Sequence, residues 1–241
     1  MEEKNKTEKP IPSMSKPIKI IPNPYKEIAG FENGKHQFGF KACRKWLEDL
    51  GKKTYGAQFR LYPEDSELLY RLIVYAIEDK DVAPKWNLDL KKGILLTGPI
   101  GCGKTTLMSL VKYFFQNGKQ FRVVSARDIS FEFEKEGYKV INRYSKNPAN
   151  LTYSNPVPNI YCFDDLGVEQ VQKHFGNECN VMGEILLSRY DLFVSRGIPT
   201  HLTTNLSASE IEEKYGNRVR SRMREMFNLI AFDKNAGDKR I

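Results

Sequence analysis

The residues with the most chemical content run Gly98-Pro99-Ile100-Gly101-Cys102-Gly103-Lys104-Thr105, which fits G-x-x-x-x-G-K-S/T in full. Glycines at these places let the backbone turn so that several N–H groups converge on one anion. A helix starting at the end of the loop adds the partial positive charge of its N-terminus. The Lys104 ammonium would reach the β- and γ-phosphates of a nucleoside triphosphate. The Thr105 hydroxyl would ligate magnesium, with Thr106 beside it in the nucleotide-binding set. The loop alone does not separate a kinase from an ATPase, a GTPase or a motor.

A second stretch, Asn159-Ile160-Tyr161-Cys162-Phe163-Asp164-Asp165-Leu166-Gly167, ends an apolar run in two carboxylates. A buried strand that delivers a carboxylate at its C-terminal end puts it in the crevice where parallel sheets bind ligands. Asp164 would hold magnesium, and Asp165 would orient the attacking water. Solvated turn aspartates are the plainer alternative, because Asp-Asp-Leu-Gly is good turn chemistry. A third strand, Thr200-His201-Leu202-Thr203-Thr204-Asn205, ends unusually polar for a buried parallel strand. Either threonine propensity explains it, or the Asn205 amide stands beside the γ-phosphate. Finally, Arg218, Arg220, Arg222 and Arg224 fall in a window without acids. On a helix, Arg218 and Arg222 share one face, and Arg220 and Arg224 another. A planar, permanently charged guanidinium suits a transition-state phosphate, and a solvated basic helix is the alternative. Arg240 is the last candidate of this kind.

These residues need a scaffold. Short apolar runs at Ile94–Leu96, Phe121–Val124, Ile160–Phe163, His201–Thr204 and Leu229–Phe232 alternate with helical stretches such as Thr105–Phe115 and Met182–Val194. Such alternation predicts an α/β domain with a parallel sheet covered by helices on both faces, over residues 89–241. Upstream, residues 36–88 read as a helical extension. Ala42, Trp46, Leu47 and Leu50 recur at helical spacing, with Gly51 as a stop, and Pro63 opens a second helix striped by Leu68, Leu69, Leu72, Ile73 and Ala76. About 50 residues hold little core of their own, so these helices are expected to lean on the main domain. Residues 1–35 carry five of the twelve prolines and read as a tail.

Composition narrows the classes. A hydrophobic fraction of 40% supports a packed core. No uncharged apolar run approaches the ~20 residues of a membrane helix, and the first residues lack a signal-peptide pattern, so no membrane and a cytoplasmic location are expected. Four cysteines without C-x-x-C pairing read as reduced thiols. The net charge of +8 favours anionic partners: nucleotide, nucleic acid or an acidic protein face. The Lys112–Lys119 region and the Arg218–Arg224 segment are the candidate DNA contacts.

Taken in order, GPIGCGKT, CFDDLG, LTTNL and YGNRVRSRM resemble the bacterial helicase-loader branch of the AAA+ ATPases, which includes DnaC-like, DnaI-like and IstB-like proteins. The resemblance covers roughly Leu90 to Ile241. It implies a P-loop NTPase fold of the AAA+/ASCE type, with five parallel strands in the order 5-1-4-3-2 and no helical lid after the fifth. Lys104 and Thr105 resemble the Walker A pair and Asp164 the Walker B metal aspartate. Asp165 takes the place of the usual catalytic glutamate, one methylene shorter. Asn205 takes the sensor-1 place, Arg222 that of the arginine finger acting on a neighbouring subunit, and Arg240 that of the sensor-2 arginine. The implied activity is binding and hydrolysis of ATP with Mg2+ in a homo-oligomer on single-stranded DNA, loading or remodelling a partner such as a replicative helicase. A transposition helper working with a transposase is the near alternative, a nucleotide-gated module with negligible hydrolysis the next, and a small phosphotransferase the last. Only His36 and Cys43 could serve as soft ligands in the N-terminal region, so the zinc module of some loaders is not expected.

Overall fold

The computed structural model describes residues 21–116, 118–145, 159–174 and 177–240. Its elements are α1 (Pro24–Glu27), the hairpin β1 (Gly30–Glu32) and β2 (Lys35–Gln37), α2 (Phe40–Tyr55), α3 (Ser66–Ala76), β3 (Gly93–Thr97), α4 (Lys104–Val111), β4 (Phe121–Ser125), α5 (Ala126–Glu136), α6 (Tyr138–Ser145), β5 (Ile160–Leu166), the hairpin β6 (Gln172–His174) and β7 (Asn177–Cys179), α7 (Val181–Arg196), β8 (His201–Thr204), α8 (Ala208–Met226) and β9 (Phe227–Ala231).

The five apolar runs form one parallel sheet in the order β4-β5-β8-β3-β9. Numbered one to five in chain order and read from the β9 edge, that is 5-1-4-3-2, the order the resemblance implies. Side chains alternate along each strand, so each strand feeds two cores. On one face Ile94, Leu96, Ile160, Cys162 and Ile230 pack with α2, α3 and α4. On the other, Tyr161, Phe163, Leu202 and Phe227 pack with α5, α6, α7 and α8. A sheet buried on both faces needs apolar residues at successive positions, which is why these strands read as continuous runs. The fifth strand begins at Phe227, two residues before the run read as strand.

The two N-terminal helices share the first of these cores, as expected. Gly51, however, does not stop α2. The helix continues to Tyr55 and ends at Gly56, whose φ of 108° admits glycine readily. Gly51 serves close packing instead: a Cβ there would lie 2.0 Å from the Phe59 ring.

Part of the stretch read as a tail is also structured. Asn23 accepts the Tyr25 N–H, and Pro24 sits at N1, where a missing N–H costs nothing. Two side-chain bonds fasten this end to the body: the Tyr25 hydroxyl donates to the Phe114 carbonyl at 2.7 Å, and the Trp46 indole donates to Glu27 at 2.8 Å. The rest of the predicted tail, with Pro10, Pro12 and Pro17, lies outside the described residues. No helix among the described residues is long and apolar enough to cross a membrane.

Candidate functional site

Parallel pairing brings the C-terminal ends of β3, β5 and β8 to one rim of the sheet. Leu96 is paired with Thr203, and Phe163 with Leu202, so the loop after β3 and the carboxylates of β5 flank the end of β8. The loop from Gly98 to Gly103 turns through positive φ at Gly101 (81°) and Gly103 (100°) and delivers the N-terminus of α4. Lys104, the first residue of that helix, is buried. Its ammonium donates to the carbonyls of Gly98 and Pro99, each at 2.9 Å.

The Thr105 hydroxyl lies 2.9 and 2.8 Å from the two oxygens of Asp164. Asp164 is buried, and desolvation lifts its carboxyl above the usual carboxylate range, with hydrogen bonds from Thr203 and Thr105 pulling the other way. A hydroxyl and a carboxylate held together are hard oxygen donors of the kind magnesium takes, one or two from protein and the rest from phosphate and water. The residues therefore fit that ion. Among the described residues there is no cluster of three His, Cys, Asp or Glu placed to hold a metal.

The polar end of β8 has a structural explanation. Thr203 is fully buried, donates to Asp164 at 2.6 Å and accepts the Asp165 N–H at 2.9 Å. Thr204 donates to the Leu166 carbonyl at 2.6 Å and accepts the Leu206 N–H at 3.1 Å. The pairing of β5 with β8 shifts register between Phe163 and Leu166, and Asp165 adopts a φ of 53° in that interval. The two threonines supply hydrogen bonds where the regular ladder is interrupted.

A cavity of about 800 Å³ opens on this rim. Ile100, Gly101, Cys102, Gly103, Lys104, Thr105, Thr106, Asp165, Asn205 and Arg240 all line it. Gly98, Pro99 and Asp164 stand directly behind, bonded to Lys104 and Thr105. Sequence reasoning missed the far wall, which the N-terminal extension builds from Tyr55, Phe59, Arg60 and Tyr62. The Arg60 guanidinium lies 4.9 Å from the centre of the Tyr62 ring. The signal available was the aromatic and basic stretch between Gly56 and Pro63, which has no helical period.

Arg222 does not line the cavity. Its guanidinium lies 4.2 Å from the centre of the Tyr190 ring on α7, donates to the Tyr190 hydroxyl at 2.9 Å and lies 3.5 Å from Glu225. Arg220 is paired with Glu212, while Arg218 and Arg224 are exposed. Helix α8 is interrupted at Gly216 (φ 85°, ψ 160°), so the arginines occupy only its second part. In the other candidate DNA region Lys119 is paired with Glu78, and residue 117 lies outside the described residues.

No protein-family model matches the sequence, and neither does any curated protein. Among solved structures, the chain is similar to a primosome component from Streptococcus pyogenes serotype M3, described as putative, at 16% identity over 73% of this chain and 83% of that one, with a TM-score of 0.46. It is also similar to the DnaC helicase loader, at 16% identity over 65% and 87% with a TM-score of 0.43. A third is AMPPCP-bound DnaA from Aquifex aeolicus, at 17% identity over 72% and 48% with a TM-score of 0.45. Likenesses this distant assign no residue roles, and those rest on the chain's own geometry.

Proposed function

We propose that this chain is a DNA-associated ATPase of the AAA+ class, of the kind that loads or remodels a protein partner on DNA. The observation that carries the reading is the contact of Thr105 with Asp164 at the rim of a sheet ordered 5-1-4-3-2. It joins the phosphate-loop threonine to the acidic strand end, as a nucleotide–magnesium site requires.

In this reading the loop N–H groups and the start of α4 hold the β-phosphate. Lys104 exchanges the carbonyls of Gly98 and Pro99 for phosphate oxygens. Thr105 and Asp164 hold magnesium, which when bound neutralises charge developing on the phosphates. Asp165 accepts the proton of a water that attacks the γ-phosphorus, Asn205 orients that water, and ADP leaves through the bridging oxygen. Arg240 contacts the terminal phosphate from the same chain. Arg222 serves the nucleotide of a second copy, which accounts for its place outside its own cavity. The aromatic wall of the N-terminal extension receives the base. Arg218 and Arg224, exposed and without acids between them, meet the DNA backbone. The protein partner is a replicative helicase, with a transposase as the alternative; a helicase or transposase gene beside this one separates the two.

Calorimetric titration of ATP with Mg2+ tests the site. Lys104→Ala is expected to abolish measurable binding while the fold persists, and unchanged affinity would remove the assignment. A second reading, nucleotide-gated binding with negligible hydrolysis, is favoured by aspartate in place of glutamate at 165 and by its positive φ. Phosphate release with single-stranded DNA present separates the two.

A further inference from the structure

We propose that Lys239 is a positioning residue: it pins the segment Gly237–Arg240 across the phosphate loop so that Arg240 reaches the terminal phosphate. The proposal rests on the nucleotide reading above and adds to it a residue that acts through another.

Lys239 is held at three points. Its backbone N–H donates to the Gly101 carbonyl at 3.0 Å, fastening the segment to the phosphate loop itself. Its ammonium lies between two rings, 4.8 Å from the centre of Tyr62 and 4.9 Å from that of Phe232. It also forms an ion pair with Asp65, and the two side chains are only 14% and 15% exposed. Lysine is seldom this buried unless paired, and a partly desolvated ammonium on aromatic faces is held more firmly than one in water.

The anchors come from opposite ends of the chain. Asp65 and Tyr62 belong to the N-terminal extension, whereas Phe232 follows β9 and donates its N–H to Thr97, at the end of β3, at 2.8 Å. The neighbours of Lys239 are set by the same contacts. Asp238 lies against Gly101, where a Cβ would come within 2.2 Å of its carboxylate. That carboxylate also accepts the Arg240 N–H at 2.9 Å. Lys239 and its cage form part of the cavity wall, and the exposed Arg240 lines the same cavity with no ion pair among the described residues. Fixing the backbone that leads into Arg240 removes conformational freedom that nucleotide binding would otherwise have to restrict.

The experiment measures ATP and ADP affinities of the full chain, together with melting temperatures without nucleotide, for the parent, Lys239→Ala, Arg240→Ala and the double variant. Each single variant is expected to weaken ATP about tenfold, the scale of one charge-assisted hydrogen bond, while ADP changes little. The double variant should be no weaker for ATP than Arg240→Ala alone. Asp65→Asn should reproduce Lys239→Ala, and Lys239→Arg, which keeps charge and ring contacts, should retain the ATP-over-ADP preference. A purely structural lysine would lower the melting temperature and weaken both nucleotides alike, and that result overturns the proposal. So does a double variant whose losses multiply. A parent protein that binds neither nucleotide removes the nucleotide site, and with it this role. A parent that prefers ATP, and a Lys239→Ala variant that prefers it equally, removes the role of Lys239 alone.

Discussion

The Thr105 hydroxyl and the Asp164 carboxylate meet at 2.9 and 2.8 Å across 59 positions of sequence, and Thr203 completes the group at 2.6 Å from the same carboxylate. Thr203→Val keeps the shape and removes the hydroxyl, leaving the Asp165 N–H without its acceptor. We expect a loss of about 1–3 kcal/mol in urea unfolding, the cost of unsatisfied buried groups. The Asp164 carboxyl is already raised by burial, and the variant removes one bond that lowers it. The acid limb of magnesium-dependent turnover should therefore move to higher pH. In metal-free protein a raised carboxylate means the folded state holds the proton longer than the unfolded chain. Its contribution to stability falls as pH rises through that range, and magnesium should reverse the fall. An acid limb at the parent's pH would detach Thr203 from the chemistry.

Arg222 packs on Tyr190 and does not line its own cavity, so binding and hydrolysis should separate on its removal. Arg222→Ala is expected to bind ATP with the parent's affinity in calorimetry and to lose hydrolysis in the assembled complex by about 10³-fold, as for other trans-acting arginines. Mixing it with a Lys104→Ala protein should restore some turnover, because the intact nucleotide site of one then meets the intact arginine of the other. Full turnover by Arg222→Ala alone would end its catalytic assignment.

His201 is fully buried at the start of β8. Its Nδ1 accepts the Ile94 N–H at 3.2 Å, Nε2 has no hydrogen-bond partner among the described residues, and burial pushes its pKa down to about 3. The folded state therefore holds a neutral imidazole that the unfolded chain protonates below about pH 6.5. Stability from this group is present above that pH and is lost as pH falls toward 3. Between pH 7 and pH 5 the loss should be about 2 kcal/mol. His201→Asn, which can still accept the Ile94 N–H, should flatten that slope in urea unfolding, and an unchanged slope would place the acid sensitivity elsewhere.

Arg189 is buried with no carboxylate partner among the described residues. It donates to the Thr200 hydroxyl at 2.8 Å and to the carbonyls of Asn159 and Pro199 at 3.0 Å each, and burial pulls its pKa down to about 10. The guanidinium thus ties the entrance of β5 to that of β8, at the end of the sheet opposite the cavity. A lysine cannot span three acceptors in a fork. Arg189→Lys is expected to cost about 2–3 kcal/mol in chemical denaturation while ATP affinity stays at the parent's value. A variant as stable as the parent would mean that those carbonyls find other donors.

The sheet and the near wall of the cavity were legible for a common physical reason. Strands buried on both faces leave continuous apolar runs, and a phosphate loop needs glycines and a lysine at fixed spacing. The place of Asp164 was legible because it ends a buried apolar run downstream of a phosphate loop, although turn chemistry alone offered another use for it. The far wall was not, since Tyr55, Phe59, Arg60 and Tyr62 lie in a stretch without period and meet the loop only after α2 and α3 pack on the sheet. Gly51 was misread because a helix-ending glycine and one that admits a ring look alike in sequence; only Phe59 distinguishes them. Thr203 offered two explanations, and its bonds to Asp164 and Asp165 are long-range facts that propensity does not contain. Lys239 leaves no sequence signal for the same reason: its partners Tyr62 and Asp65 stand far upstream.

Gly216 divides α8 into two arms. Before it, Lys214 donates to the carbonyls of Gly167 and Glu169, and Tyr215 bonds the Glu169 carboxylate, so the first arm is tied to the loop that follows Asp165. Beyond it, Val219 and Met223 seat the second arm in the core while Arg218 and Arg224 stay outside. Arg220 reaches back across Gly216 to Glu212, so an ion pair joins the two arms, and the second arm runs straight into β9. The direction in which the arginine-bearing arm leaves the first is set by two torsion angles, 85° and 160°, at a position where any side chain would be strained.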